Sequence, residues 1–325
     1  MDEVHIAFAV DRGYFNQVAV TIASIVANAA APDALRFYVL HADDESWVAE
    51  QMARWTVPHV QAVRVDNPFD PNRNVVSYIS VAAMLRILLP LALPHLSRVI
   101  YLDADIVVLH DVAELWRADI GEAPMGAVVD LGVHLNAMRG DLHNNPLPRE
   151  GVVALGLDPS KPQYVNSGLL VMNLDKLRQT DFVGKAREMD AARGRTLPYV
   201  DQDIINALMK GQMALLDPRW NVLAGVYTGN WLRRHHYATE PFRPAFALQK
   251  AEQWAIHYTG LEKPWNSAEA WRGGEEWWRY AANSGVQWQR PAAPARTFAT
   301  TATEAWLDFR EKLSVLRFRI QKRAG

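Results

Sequence analysis

Two carboxylates interrupt an otherwise apolar stretch of this chain. Residues 99–108 read VIYLDADIVV, with Asp103 and Asp105 as the acidic positions. In an extended strand, side chains two residues apart lie on the same side, so both carboxylates are expected to face one way and Ala104 the other. Burying two ionised carboxylates without a cation is costly, because each charge loses its hydration. The pair therefore predicts a site for a hard divalent metal such as Mg²⁺ or Mn²⁺, to which a phosphate adds further ligands.

A second group of polar and charged side chains follows far downstream. Residues 257–265 read HYTGLEKPW, after a short apolar stretch at 254–256 that predicts a strand. The neutral imidazole of His257 is a suitable metal ligand, and its borderline softness favours Mn²⁺ over Mg²⁺. Gly260 allows the backbone to approach a ligand closely, and Lys263 offers a positive charge to a phosphate. The alternative for His257 is a core residue whose hydrogen bonds are satisfied.

The composition narrows the classes of function. The chain has 325 residues, half of them apolar, which is long enough for a large domain with a sizeable core. The formal net charge of −2 argues against nucleic acid as the main partner. The absence of cysteine excludes disulfides, zinc–thiolate sites and a cysteine nucleophile, and it fits a reducing compartment. The opening residues, MDEVH, lack a signal-peptide pattern, so we expect a cytoplasmic location.

Strand-like and helix-like segments alternate over the first part of the chain. This order predicts an α/β fold in which a mostly parallel central sheet is flanked by helices. Such sheets bind ligands beyond the carboxyl ends of their strands, where Asp11 and Asp103 would both lie. Residues 132–163 are rich in Gly, Pro, Asn and His and are predicted to be a long loop with a binding role. The predicted strands are 6–10, 35–41, 60–65, 98–102, 125–130 and 165–173, and the predicted helices are 14–30, 45–55, 79–89, 174–192 and 201–210.

The two motifs together resemble those of a known enzyme family. Asp-x-Asp at a strand end followed by His-x-x-Gly-x-x-Lys-Pro-Trp is similar to the pattern of family 8 glycosyltransferases. That family includes bacterial lipopolysaccharide galactosyl- and glucosyltransferases and, more distantly, glycogenin. The resemblance extends over residues 4–270 and takes in FAVDRGY at 8–14, Arg86, NSG at 166–168 and DQD at 201–203. It implies the GT-A fold, a single nucleotide-binding domain that binds a UDP-sugar with Mn²⁺ and transfers the hexose with retention of anomeric configuration.

The resemblance also implies roles for individual residues. The implied metal ligands are Asp103, Asp105 and His257. The implied diphosphate contacts are Gly260 and Lys263, and the implied uridine contacts are Asp11 and Tyr14. The residues implied at the donor hexose are Arg86, Asp103, Asp130, Asn166 and Gln202, with Ala104, Asp105, Ser167 and Gly168 beside them. The implied catalytic residues are Gln202, Asp203 and Asp130. One departure is Gly13, where many relatives carry Asn, so a nucleotide contact there is lost or made by the backbone.

Retention of configuration allows two mechanisms. A covalent route needs a carboxylate on the sugar face opposite UDP, as in retaining glycosidases. The corresponding position is Gln202, an amide and a poor nucleophile, and Asp203 is the neighbouring carboxylate. We therefore favour front-side attack, in which the departing phosphate takes the proton of the acceptor hydroxyl. Catalysis then consists mostly of positioning and charge stabilisation.

Each candidate residue also has a structural interpretation. Asp11 could cap the following helix, Arg86 could pair with a buried carboxylate, and Asp130 or the 166–168 segment could form turns. Gln202 could lie on the surface. Three other functions stay open: an inactive UDP-sugar-binding protein, a self-glucosylating glycogenin-like protein, and a phosphatase of the haloacid-dehalogenase type. For the last, the acidic motif would normally open the domain, whereas here a full βαβαβ pattern precedes it.

The C-terminal segment has a pattern of its own. We predict a glycosyltransferase domain at 1–285, a linker at 286–302 that contains PAAPAR, and a basic amphipathic helix at 303–325. Apolar residues fall on one face of this helix and basic residues elsewhere, which is typical of a helix lying on an anionic membrane. The alternative is a helix packed on the domain or an oligomer contact. The expected partners are a UDP-sugar, a glycan or glycolipid acceptor such as a lipopolysaccharide core, and the inner face of the membrane.

Overall fold

Alternating strands and helices build the N-terminal half, as predicted. A computed structural model describes residues 3–69, 80–139, 147–224, 241–267 and 274–292. Strands β1 (Val4–Ala9), β2 (Leu35–His41) and β3 (Val60–Arg64) are joined through helices α1 (Phe15–Asn28) and α2 (Glu45–Met52). A 3₁₀ helix at Val81–Leu88 continues into the short helix α3 (Leu89–Ala92) and then strand β4 (Arg98–Leu102).

A mixed central sheet organises the described residues. Its remaining strands are β6 (Met125–Val129), β7 (Val165–Asn173) and β8 (Ala214–Leu215). The order across the seven described strands is β3-β2-β1-β4-β7-β6-β8. The first four strands are parallel, β7 is antiparallel to both of its neighbours, and β8 is parallel to β6. The prediction of a mostly parallel sheet flanked by helices is confirmed.

Both faces of this sheet are covered. On β1, Ile6 and Phe8 point to one face and pack in a cluster with Val18 of α1. The alternate residue Ala7 points to the other face, in a cluster with Leu85 of the 3₁₀ helix. A strand that is buried on both faces reads as a continuous apolar run, which is why β1 and β4 show little polar alternation.

A small second sheet brings the two sequence motifs together. It contains β5 (Ile106–Val108), β9 (Val222–Leu223) and β10 (Ala255–His257), in the order β5-β10-β9. In the antiparallel pair of β10 with β5, His257 lies opposite Ile106. Since Ile106 directly follows Asp105, this pairing sets the histidine beside the acidic motif.

Further helices surround the two sheets. They are α4 (Val112–Trp116), α5 (Leu131–Arg139), α6 (Arg149–Ala154), α7 (Leu174–Gln179), α8 (Phe182–Arg193), α9 (Asp201–Met209), α10 (Arg243–Ala251) and α11 (Gly274–Ala281). Among the described residues, no helix combines the length and the apolar character needed to cross a bilayer. The predicted C-terminal helix at 303–325 and most of the predicted linker lie outside the described residues, so both stay predictions.

Several local predictions are wrong in detail. The acidic motif is not extended, because β4 ends at Leu102 and the chain turns at residues 104–105. The predicted loop at 132–163 contains α5 and α6, and the predicted helix at 174–192 is broken at Asp181, whose φ of 49° begins α8. The predicted turn at 166–168 lies inside β7. The 166–168 segment belongs to a strand rather than a turn because β7 pairs with β4 on one side and with β6 on the other.

Candidate active site

The candidate residues converge on one cavity beyond the carboxyl ends of β1 and β4. Its volume is about 390 Å³. Every residue predicted to bind the donor lines it: Asp11, Tyr14, Arg86, Asp103, Ala104, Asp105, Asp130, Asn166, Ser167, Gly168, Gln202, His257, Gly260 and Lys263. The sheet edge explains this placement, because loops that follow parallel strands open into a common crevice.

Three of these side chains form a group that could hold a metal ion. Asp103, Asp105 and His257 each offer one ligand atom, and these atoms lie within 4.8 Å of one another. The Nε2 atom of His257 is 3.1 Å from Oδ1 of Asp105 and 3.6 Å from Oδ2 of Asp103. Two carboxylates and an imidazole are a donor set suited to a divalent cation.

Gly168 is required for this convergence. A Cβ atom at this position would lie 2.3 Å from Cε1 of His257 and 2.7 Å from Oδ2 of Asp103. Cβ atoms in folded proteins essentially never lie within 3.0 Å of a carbon or oxygen atom to which they are not bonded. The backbone of β7 therefore passes behind two of the candidate ligands at a distance that only glycine permits.

Two buried cations neutralise the acidic motif. The Nζ atom of Lys263 lies 2.5 Å from Oδ2 of Asp105, and Nη2 of Arg86 lies 2.9 Å from Oδ1 of Asp103. Burial alone would raise the pKa of Asp105, but Lys263 and His257 outweigh burial and hold that pKa below its ordinary value. The phosphate-binding role predicted for Lys263 thus starts from an ammonium group already held at the site.

Arg86 connects the acidic motif to helix α9. Its Nε atom lies 3.1 Å from Oδ2 of Asp201, which also accepts a hydrogen bond from Oγ of Ser167. Burial would lower the pKa of Arg86, but Asp103 and Asp201 outweigh burial and raise it. The alternative prediction of a buried ion pair is therefore correct for Arg86, and the same side chain also lines the cavity.

An amide and carboxylate network forms the opposite wall. Nε2 of Gln202 donates to Oδ2 of Asp130 at 3.2 Å, and Nδ2 of Asn166 donates to the same oxygen at 3.0 Å. The backbone N–H of Ser167 donates to Oε1 of Gln202. Gln202 is buried, so the surface interpretation is wrong, and both amide groups are held in one orientation.

Asp203 does not reach the cavity. Its side chain is fully buried, Oδ1 accepts from the Tyr164 hydroxyl at 2.7 Å, and Oδ2 accepts from the Tyr199 backbone N–H at 2.8 Å. Burial raises the pKa of Asp203 to about 6. This carboxylate therefore holds the turn that precedes α9 and orients Tyr164, which in turn accepts from Gln202.

The predicted uridine contacts Asp11 and Tyr14 lie just after β1. Oδ1 of Asp11 accepts from the Gly13 N–H, and Oδ2 accepts from the Ser80 hydroxyl. Helix α1 has no side-chain cap, so the capping interpretation of Asp11 is wrong. A Cβ atom at Gly13 would lie only 3.2 Å from Asp11 Oδ1. The glycine, which stands where many relatives carry Asn, therefore fits a turn that leaves little room for a side chain.

Comparison with known proteins decides the family. The model of glycosyl transferase family 8 matches residues 5–269. The chain belongs to glycosyltransferase family 8. General stress protein A of Bacillus subtilis is 26% identical over 308 residues, which span 90% of this chain and 98% of that protein. The lipopolysaccharide 1,2-glucosyltransferase of Escherichia coli is 25% identical over 270 residues, 81% of this chain and 73% of that protein.

A solved structure supports the same assignment of this family 8 glycosyltransferase. The crystal structure of the galactosyltransferase LgtC with donor and acceptor sugar analogs superposes with a TM-score of 0.71 and 26% identity. The match covers 88% of this chain and 97% of LgtC. The predicted GT-A fold is therefore confirmed.

Sequence reasoning missed several residues at the site of this family 8 glycosyltransferase. Asp201 could have been found, since it belongs to the DQD motif and its charge was available to Arg86. Asn221 gave no signal, because it lies in no motif and at no predicted element boundary, and Tyr164 directly precedes the predicted strand 165–173 without any feature that marks its hydroxyl for the site. Asn221 lies within hydrogen-bond distance of His257 and donates to Asn166, and only the folded chain brings these three together.

Proposed function

We propose that this protein is a retaining glycosyltransferase that moves galactose or glucose from a UDP-sugar to a hydroxyl of a glycan or glycolipid. The observation that carries the proposal is the convergence of Asp103, Asp105 and His257 beside Lys263 in one cavity. This arrangement suits a nucleoside diphosphate with a bound cation. The family match supports transfer of a hexose.

The residues at this point fit a divalent ion, for which we propose Mn²⁺, with Mg²⁺ as the alternative. Gly168 leaves the room that Asp103 and His257 need in order to approach Asp105. When bound, the ion would supply Lewis-acid stabilisation of negative charge on the diphosphate. Lys263 adds a positive charge at the same place, since its ammonium group lies against Asp105.

The chain's own side chains support front-side attack. Gln202 lines the cavity, but an amide is a poor nucleophile, and its Nε2 and Oε1 are both engaged by Asp130, Tyr164 and Ser167. Asp203, the carboxylate next to Gln202 in the sequence, lies outside the cavity behind Tyr164, and Asp201, which lines the cavity, is paired with Arg86. Asp130, Asn166 and Gln202 instead hold the donor hexose, so that the acceptor hydroxyl can approach from the side of the leaving phosphate.

The named relatives support the acceptor class. One relative is named as a lipopolysaccharide glucosyltransferase, and LgtC was crystallised with donor and acceptor sugar analogs. We extend this class to the present chain as a glycan or glycolipid with a free hydroxyl. The family match leaves the haloacid-dehalogenase-type phosphatase without support, whereas an inactive UDP-sugar-binding protein is an outcome that the following experiment distinguishes.

The proposal is tested by hydrolysis of a UDP-sugar panel with Mn²⁺. UDP release is expected from UDP-galactose or UDP-glucose and should stop when EDTA removes the metal. Asp105→Asn and His257→Gln should each lower the rate by more than about 100-fold, since removing one group that stabilises transition-state charge costs about 2.7–4 kcal/mol. Asp33→Asn, an exposed carboxylate outside the cavity, is the matched control and should leave the rate unchanged.

Three outcomes would contradict parts of the proposal. Binding of UDP without turnover of any donor, acceptor supplied, would indicate the inactive binding protein. An unchanged rate with EDTA would exclude metal dependence. A glycosyl adduct on Asp203, found by mass spectrometry of the protein after incubation with donor, would replace front-side attack by the covalent route.

A further inference from the structure

Asn221 contacts the side of the His257 ring that faces away from Asp103 and Asp105, and it belongs to neither sequence motif. It is buried in the connection between the 3₁₀ helix at Pro218–Trp220 and β9. Its Oδ1 atom lies 3.0 Å from Nδ1 of His257. Helix α10 supports it from outside, where Nε2 of Gln249 donates to the backbone carbonyl of Asn221.

A donor that cannot accept, the backbone N–H of Gly168, determines the amide orientations of Asn166 and Asn221 and so the direction of the hydrogen bond to His257. The backbone N–H of Gly168 donates to Oδ1 of Asn166 at 3.0 Å, and a backbone N–H can only donate. The oxygen of Asn166 therefore faces Asn221, so the group of Asn221 at 2.9 Å from it must be Nδ2. The oxygen of Asn221 is then the atom that faces His257.

The orientation of Asn221 determines the tautomer of His257. A carbonyl oxygen can only accept, so Nδ1 of His257 must carry the proton in this contact. With Nδ1 protonated, Nε2 is the nitrogen that would give its lone pair to a divalent cation, and Nε2 is the atom that faces Asp103 and Asp105. The imidazole is held in the form that ligates a metal.

We propose that Asn221 is a positioning residue that fixes the tautomer and the ring orientation of His257 for a divalent cation. The inference rests on the metal-dependent function proposed above and deepens it. It also joins the two ends of the site, because Asn166 passes the same ordered hydrogen bonds on to Asp130. The metal end and the sugar end of the cavity thus share one network of amides.

The test measures Mn²⁺ affinity of the full-length protein at a fixed UDP concentration, from the electron paramagnetic resonance signal of free Mn²⁺. Asn221→Leu keeps the branched shape of the side chain but removes the acceptor, and it should weaken Mn²⁺ binding by about 10–100-fold, as expected for a group that supports a metal ligand. Asn28→Leu is the matched control. Its amide bonds Ser24 and Val108 away from the cavity, so that variant should lower the melting temperature without changing Mn²⁺ affinity.

Two more variants separate positioning from loss of structure. Asn221→Asp keeps an oxygen opposite Nδ1 of His257 but loses the donor to Asn166, so it should bind Mn²⁺ more tightly than Asn221→Leu. In a His257→Gln background, Asn221→Leu should add little further loss, because Asn221 acts through the imidazole. Nitrogen-15 spectra of labelled histidines should show the His257 resonance, identified by its absence in His257→Gln, in the Nδ1–H form and altered in Asn221→Leu.

The outcomes distinguish this inference from the proposed function. If the unmodified protein does not bind Mn²⁺ with UDP, the metal site itself fails. If it binds and Asn221→Leu binds equally well, the positioning role is overturned while the function stands. Equal loss in Asn221→Leu and Asn221→Asp, or additive losses with His257→Gln, would likewise overturn it.

Discussion

At the scale of single residues, the candidate metal site depends on the close approach of Gly168 to His257 and Asp103, which leaves no room for a side chain at position 168. Asp103 and His257 can approach Asp105 because Gly168, which lies against both of them, lacks a side chain. The two motifs and the family resemblance predicted these three residues as metal ligands, and the structure places them together. The need for Gly168 could not be predicted, because the sequence does not show which backbone passes behind the imidazole.

Gly168→Ala is expected to damage the metal site more than the fold. The added methyl group meets His257 and Asp103 at less than 3 Å, so one candidate ligand must swing away. We expect Mn²⁺ affinity to fall by about 10–100-fold, comparable to loss of ligand support, and the free energy of unfolding to fall by about 1–3 kcal/mol from overpacking. Calorimetric titration with Mn²⁺ and urea denaturation measure the two effects.

The matched background for this substitution is His257→Ala, which removes the nearest obstacle. There, Gly168→Ala should cost less free energy of unfolding than it does in the unmodified protein. An equal cost in both backgrounds, or unchanged Mn²⁺ affinity in the single variant, would show that the close approach is not what Gly168 provides.

At the scale of elements, α9 is the piece that presents Asp201 and Gln202. It is fastened to β7 by Asn206, whose side-chain amide donates to the carbonyl of Val165 and accepts from its N–H. The start of α9 was predicted correctly from the DQD motif. The attachment of α9 to β7 could not be predicted, because it depends on hydrogen bonds between residues about 40 positions apart in the sequence.

The turn before α9 is strained at Val200, and this strain yields a prediction. The fully buried valine has φ of 51° and ψ of −108°, a region that glycine adopts readily and β-branched residues avoid. Val200→Ala loses apolar contacts and keeps the strain, whereas Val200→Gly releases it. We expect Val200→Gly to be about 1 kcal/mol more stable than Val200→Ala, the reverse of the usual order, in urea denaturation.

The same pair of variants reports on function. Val200→Gly should hydrolyse UDP-hexose more slowly than Val200→Ala despite its higher stability, because a freer turn leaves Gln202 less well placed. If Val200→Ala were the more stable of the two, the strain at this turn would contribute nothing to the native energy.

At the scale of the whole molecule, two sheets bring distant parts of the chain to one cavity. The parallel direction of β1 to β4 could be predicted from the alternation of strand-like and helix-like segments. The small sheet that sets His257 beside Ile106 could not, because β5, β9 and β10 are each two or three residues long. Family resemblance supplied that proximity where the physical pattern was too short to do so.

The C-terminal segment gives a prediction that concerns location rather than chemistry. We propose that its basic residues bind an anionic membrane surface, close to a lipid-linked acceptor. Changing the basic side chains to glutamine should lower binding to anionic vesicles by more than about 100-fold, since each contributes about 1 kcal/mol near such a surface. The residues to change are Arg310, Lys312, Arg317, Arg319, Lys322 and Arg323.

A control for net charge uses exposed basic residues of the domain, changed to glutamine: Arg54, Lys161, Lys185, Arg187, Lys210 and Lys250. Co-sedimentation with vesicles should be much weaker for the C-terminal variant than for this control. UDP-sugar hydrolysis should be unchanged in the C-terminal variant. Equal vesicle binding by both variants would remove the membrane proposal and leave packing on the domain or an oligomer contact.

The most direct test of the account is anomalous scattering from a crystal grown with MnCl₂ and UDP. The account predicts a manganese peak coordinated by Asp103, Asp105 and Nε2 of His257 and by oxygens of the diphosphate, with Gly168 behind it. A crystal with UDP bound but no manganese peak between these three side chains, or with the peak held by other residues, would contradict it.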